Sequence, residues 1–107
     1  FLPGQAEIRA AARALSAFAQ RRGFELFELH GELPPERQDQ VFVRGPLRKL
    51  ILATNVAESS LTLPDVTVVI DSGYERRAAV DPATGLERLE LARIALDSAQ
   101  QRRGRAG

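Results

Sequence analysis

"LRKLILATNVAESS" (residues 47–60) decides the fold. Residues 47–54 form an almost uninterrupted apolar run, the pattern of a strand buried in a parallel sheet. "NVAESS" then turns polar at once and reads as a short helical turn or loop. On the C-terminal side, "VTVVIDSG" (66–73) reads as a second buried strand ending in glycine. On the N-terminal side, "FELFEL" (24–29) reads as a short strand, and "HGELPP" as a turn. Pro35 can open a helix running to about Val43, which "RGP" breaks. Residues 5–22 read as a longer helix. Ile8, Ala12, Leu15, Phe18 and Ala19 recur on one helical face, and Gly23 suits the position just past its end. Phe1-Leu2 reads as the end of a strand. Strand, helix, strand, helix, strand, short helix, strand is the alternation of a parallel, doubly wound α/β sheet.

The remaining sequence departs from that alternation. Two extended segments flank "DPATG" (81–85), which predicts a β-hairpin at about 75–94. A final helix is expected to begin with Ser98 as its N-cap and Gln101 at the third position, an S-x-x-Q capping box.

Composition sets outer limits. The 107 residues are 44% hydrophobic and 27% charged, with a net charge of +1. That is ordinary for one globular domain, and bulk charge selects no partner. Of the 15 basic residues only Lys49 is lysine. This is either a general arginine bias or a preference for the planar fork that suits phosphate. There is no cysteine, and His30 is the only histidine, so disulfides, thiolate sites and multi-histidine metal sites are excluded. No stretch approaches the roughly 20 apolar residues that cross a bilayer. The sequence starts without methionine and reads as cut from something longer at both ends.

In an open parallel sheet, ligands gather beyond the carboxyl ends of the strands. Three stretches fall there: "PGQ" after Phe1-Leu2, "TNVAESSLT" (54–62) and "DSG" (71–73). Thr54, Asn55, Ser59, Ser60 and Thr62 are small donors able to hold phosphate oxygens, or simply to cap their own turn. "QQRRGRAG" (100–107) puts Arg102 and Arg105 on one helical face, with Gln101 one turn from Arg105. Gly104 and Gly107 weaken a purely structural helix and admit a close backbone or ligand. Guanidinium groups near a developing phosphoryl charge, with a glutamine to orient water, suit phosphoryl transfer. Near a predicted helix start these arginines are unfavourably placed for the dipole, which speaks against a merely structural role.

"FLPGQAEI", "LHGELPPERQ", "LATNVAESSLTLPDVTVVIDSG" and "SAQQRRGRAG", in this order and spacing, closely resemble the second RecA-like domain of DEAH-box ATP-dependent RNA helicases. "FLPG" and "DPATGLERL" are most similar to the bacterial HrpB group. The resemblance covers essentially the whole chain.

It implies two RecA-like domains closing on ATP and Mg2+, with the first domain, which carries the Walker motifs and the Mg2+ ligands, outside this chain. It implies that the backbone at Gly4, together with Thr54, Asn55, Ser60 and Thr62, meets single-stranded RNA, with DNA left open. Phe42 would stack on adenine, Asp71 would approach the ribose or the water near ATP, and Arg102 would contact ATP. Gln101 would position the attacking water, and Arg105 would reach the γ-phosphate. The hairpin would guide or wedge nucleic acid. A cytoplasmic location and no membrane partner follow. Read without the resemblance, Phe42 is a core residue and Asp71 a turn-former. The competing reading of the whole chain is a non-catalytic α/β nucleic-acid-binding or regulatory module.

Overall fold

The computed structural model describes residues 1–31, 34–43, 45–58 and 66–106, with the side chains of Pro35 and Phe42 outside that description. Helix α1 (Gln5–Arg22) is followed by strand β1 (Phe24–Leu29) and the short helix α2 (Pro35–Asp39), which tightens into a 3-10 turn over Gln40–Phe42. Strand β2 (Arg48–Ala53) leads to a 3-10 turn over Asn55–Ala57. Strands β3 (Tyr74–Val80) and β4 (Glu87–Arg93) form the hairpin, and helix α3 (Leu96–Arg103) follows.

Helix α1 forms where the apolar stripe places it. Ile8 and Ala19 are buried, and Ala12 and Leu15 are half-buried between them. Phe18 lies at the edge of the stripe, 40% exposed, and stacks on Phe24 at 5.9 Å. Glu7 in the first turn and Arg21 and Arg22 in the last complement the helix dipole. Gly23 ends the helix at φ 73°, a left-handed turn that glycine adopts without steric cost, and its N–H bonds to Ala19 O.

Strands β1 and β2 pair in parallel, from Phe24 opposite Arg48 to Leu29 opposite Ala53. Their carboxyl ends hold the core: Leu29, Val41, Ala53 and Ala57, with Phe1, Phe27, Ile51 and Val56 packed against it. Leu2 N donates to Ala53 O at 2.7 Å, and Ser72 N donates to Phe1 O at 3.1 Å. Residues 1–2 therefore lie between the end of β2 and residues 70–72, all of them next to the carboxyl end of the sheet.

The hairpin pairs antiparallel from Tyr74 opposite Arg93 to Val80 opposite Glu87. Its turn is built as the sequence suggests. Asp81 Oδ1 accepts from Ala83 N at 2.9 Å, and Gly85 adopts φ 69° while its N–H bonds to Asp81 O at 2.7 Å.

Three expectations need correction. "VTVVIDSG" is not a ladder strand among the described residues: 66–70 are irregular, with Val68 73% and Ile70 80% exposed. A strand needs a hydrogen-bonded neighbour along its length, and among the described residues the backbone alongside is that of Phe1. Strand β2 is buried only at Leu52 and Ala53; its first half is partly open. Helix α3 does not start at Ser98. Ala95, extended at ψ 158°, is the N-cap without any side-chain cap bond, and Ala99 N closes the first turn on Ala95 O at 3.1 Å. Ser98 is already inside the helix, so no capping box forms.

Candidate nucleotide and nucleic-acid site

The corrected start of α3 changes the meaning of its arginines. Arg102 and Arg103 occupy the last turn, where the dipole favours cations. The dipole therefore gives no argument for function. Burial gives a different one.

Arg102 is fully buried, with 0% of its side chain exposed. An arginine is almost never buried unpaired, because desolvating its charge is costly. Here Nε donates to Glu58 Oε1 at 2.8 Å, and Nη1 donates to Asp71 Oδ1 at 2.8 Å and to Tyr74 O at 3.3 Å. The guanidinium lies 4.9 Å from the centroid of the Phe1 ring. Nη2 is buried without a hydrogen-bond partner among the described residues. One side chain thus joins the loop after β2, the loop after residues 66–70, the base of the hairpin and helix α3. Removing one partner of a buried pair costs about 3–5 kcal/mol; the Asp71 side chain is 24% exposed, so its share is smaller.

Asp71 bears out the turn-former reading and adds a tertiary partner. It forms a turn, accepting from Gly73 N at 2.9 Å, with Gly73 at φ 80°. It also faces Arg102. Partial burial alone would push its carboxyl up; the Gly73 N–H and the Arg102 guanidinium outweigh that and hold it below the ordinary carboxylate value.

Thr54 is buried, and its N–H bonds to Leu29 O at 3.1 Å, which fixes the start of the loop after β2. Asn55 beside it is exposed. Ser60 and Thr62, expected to meet RNA, lie outside the described residues, as does the Phe42 side chain expected on adenine. Gln101 is exposed on α3, and Arg105 is half-buried just past its end, with its N–H on Arg102 O at 3.1 Å.

Gly4 sits at the N-cap of α1 in extended backbone. A Cβ there would stand 3.3 Å from Arg76 Cγ and 3.4 Å from Glu7 Oε2. Arg76 reaches from the hairpin across Gly4 and pairs with Glu7, Nη2 to Oε1 at 2.5 Å. The arginine hydrogen bond, with the Glu7 backbone, holds the Glu7 carboxyl below its ordinary value.

Gly4, Thr54, Asp71 and Arg102 therefore converge beyond the carboxyl ends of the strands. A shallow groove of about 550 Å³, lined by Ser16, Gln20, Phe24, Leu26 and Leu47, lies at the opposite, amino end. Its wall is mostly apolar, with Ser16, Gln20 and Glu25 as the polar members. Among the described residues no group of three or more His, Cys, Asp or Glu could hold a metal ion, and no helix is long and apolar enough to cross a membrane.

Sequence reading missed Glu58, Tyr74 O and the Arg76–Glu7 pair. Glu58 had a signal: a lone acid between the apolar Val56-Ala57 and the hydroxyls that follow. Its partner, 44 positions away, did not announce itself.

Over residues 1–107 the chain matches the helicase conserved C-terminal domain family. It is 44% identical over 111 residues to ATP-dependent RNA helicase DEAH12, chloroplastic, of Arabidopsis thaliana, and 37% identical over 109 residues to ATP-dependent RNA helicase HrpA of Borreliella burgdorferi. Both alignments take in all of this chain but only 6% and 13% of those relatives. The crystal structure of the E. coli DExH-box NTPase HrpB is similar at TM-score 0.83 and 41% identity, covering 100% of this chain and 13% of that one. A match over every residue, joined to the shared fold, means that this chain belongs to the helicase conserved C-terminal domain family, in its DEAH/RHA type.

Proposed function

We propose that the chain is the second RecA-like motor domain of a longer, cytoplasmic ATP-dependent RNA helicase. It supplies half of an ATP site and part of a single-stranded RNA track, and the parent couples hydrolysis to movement along RNA and to strand opening. The observation that carries this reading is the convergence of distant stretches, residues 1–4, Thr54 to Glu58, and Asp71 with Arg102, at one end of the parallel strands. In that site Gln101 orients the attacking water and Arg105 offsets charge on the γ-phosphate. Asp71 faces the ribose or its water, and Phe42 stacks on adenine. The backbone at Gly4 and the loop from Thr54 through Asn55, Ser60 and Thr62 follow the RNA phosphates, which carry no base sequence. Mg2+ would be held by the first domain, as the family resemblance implies.

The test is ATP hydrolysis by the full-length parent, with and without single-stranded RNA. RNA-stimulated hydrolysis supports the reading. Absence of hydrolysis in a folded, full-length protein would overturn it in favour of a non-catalytic nucleic-acid-binding module.

A further inference from the structure

Residues 74–76 open the hairpin and are gripped from two sides. On one side Arg102 donates to Tyr74 O at 3.3 Å while also holding Asp71 and Glu58, each at 2.8 Å. On the other, Arg76 crosses Gly4 to pair with Glu7. The ladder continues past Tyr74, with Ile94 N on Gly73 O at 3.0 Å, so the base of the hairpin joins the Asp71 loop without a break. Three of the five guanidinium N–H groups of Arg102 are taken by these partners, and the side chain is closed to solvent.

We propose that Arg102 is a positioning residue: its buried fork sets the hairpin base and the Asp71 loop relative to α3 and the turn after it, which carry Gln101 and Arg105. This replaces the direct ATP contact that the family resemblance implies for Arg102, and it rests on the helicase reading above. The chemistry favours arginine here specifically. Two carboxylates from different loops and a backbone carbonyl need three directed N–H groups in one plane, which a lysine ammonium cannot provide. A single rigid fork then links the nucleotide side of the domain to the hairpin, which the family resemblance sets against nucleic acid.

The experiment uses the full-length helicase and two variants, Arg102→Lys and Glu58→Gln, each normalised to folded protein by circular dichroism. A positioning role predicts that RNA-stimulated kcat falls by ~10-fold or more in Arg102→Lys, with KM for ATP within ~2-fold of wild type. Glu58→Gln, which touches no proposed ligand, is expected to move kcat in the same direction by a smaller factor. Amide exchange over residues 74–80 is expected to rise ~10-fold in both variants while α1 stays protected. A raised KM for ATP with kcat preserved would make Arg102 an ATP ligand and overturn the proposal. Unchanged turnover per folded molecule would reduce Arg102 to a fold-stabilising residue and also overturn it. Exchange over 74–80 that matches wild type overturns it whatever the kinetics show. Loss of the helicase reading has its own signature, a wild-type protein without ATP hydrolysis, and removes the inference with it.

Discussion

Glu58 and Arg102 stand 44 positions apart in the chain and meet at 2.8 Å, with the arginine side chain fully buried. That separation makes the contact tertiary in the strict sense: it closes only when the loop after β2 and helix α3 are both in place. Losing it leaves a buried cation with one partly exposed carboxylate. Glu58→Ala is expected to cost about 3–5 kcal/mol. Glu58→Gln costs less, because an amide oxygen still accepts from Nε. Amide exchange of α3 in the full-length protein measures both. Equal losses for the two variants would mean that the charge alone matters and the hydrogen bond does not.

Acidification tests the same cluster. Asp71 and Glu7 both have folded values below their ordinary ones, through Gly73 N–H and Arg102 for the first, after the opposing effect of burial, and through Arg76 for the second. A carboxyl lowered in this way adds stability above its unfolded value, about 3.9 for Asp and 4.3 for Glu, and loses it as pH falls through the folded value. Stability of the domain is therefore expected to be flat near neutral pH and to fall below about pH 4. Asp71→Asn should flatten that decline. The Glu7 pair lies near solvent and contributes little. A thermal-melting series from pH 7 to pH 3 on wild type and Asp71→Asn decides it, and parallel curves would remove Asp71 from the account.

Much of the architecture was legible because local signals agreed with the fold. Helix α1 carried its own periodicity and its own stop at Gly23, and the "DPATG" turn carried Asp81 and Gly85 at the positions their chemistry suits. The 66–71 segment misled because hydrophobicity reports what would be buried in a complete sheet, and here no described residue covers Val68 or Ile70. The start of α3 misled because a capping box is a local pattern, whereas Ala95 was set by the chain leaving the hairpin. The candidate site residues were proposed by motif, and the contacts that tie Asp71 and Arg102 together were not legible there. Arg102 and Arg105 look alike in sequence; only packing tells the buried one from the half-open one.

Two glycines separate backbone need from close approach. Gly23 sits at φ 73°, and nothing lies within 4 Å of the place a Cβ would take. Gly23→Ala is therefore opposed by backbone conformation alone, at about 1–2 kcal/mol. Gly4 is extended, a conformation that alanine adopts freely, but its Cβ would press on Arg76 Cγ at 3.3 Å. A flexible side chain can yield there, so Gly4→Ala should cost under about 1 kcal/mol while displacing Arg76. Under the proposed function RNA affinity of the full-length protein falls for Gly4→Ala and stays at the wild-type level for Gly23→Ala. Melting temperatures and RNA titrations on the two variants read both halves, and the reverse pattern would remove Gly4 from the RNA track.

Helix α3 offers the sharpest internal comparison. Gln101, Arg103 and Arg105 lie within five residues, yet the proposed site gives them different roles. Arg105→Ala should lower RNA-stimulated ATP turnover by about 10²-fold or more, the loss expected when a contact to transition-state charge goes. Gln101→Ala should lower it by about 10-fold to 10²-fold, through a poorly oriented water. Arg103 is exposed in the same last turn, and the proposed site assigns it no role. Arg103→Ala removes the same charge as Arg105→Ala, so it controls for net charge and for the helix dipole. Its turnover should stay within about 2-fold of wild type. Steady-state hydrolysis with the three variants in parallel gives the answer. Equal losses in Arg103→Ala and Arg105→Ala would trace the effect to bulk charge on α3 and take the γ-phosphate contact away from Arg105.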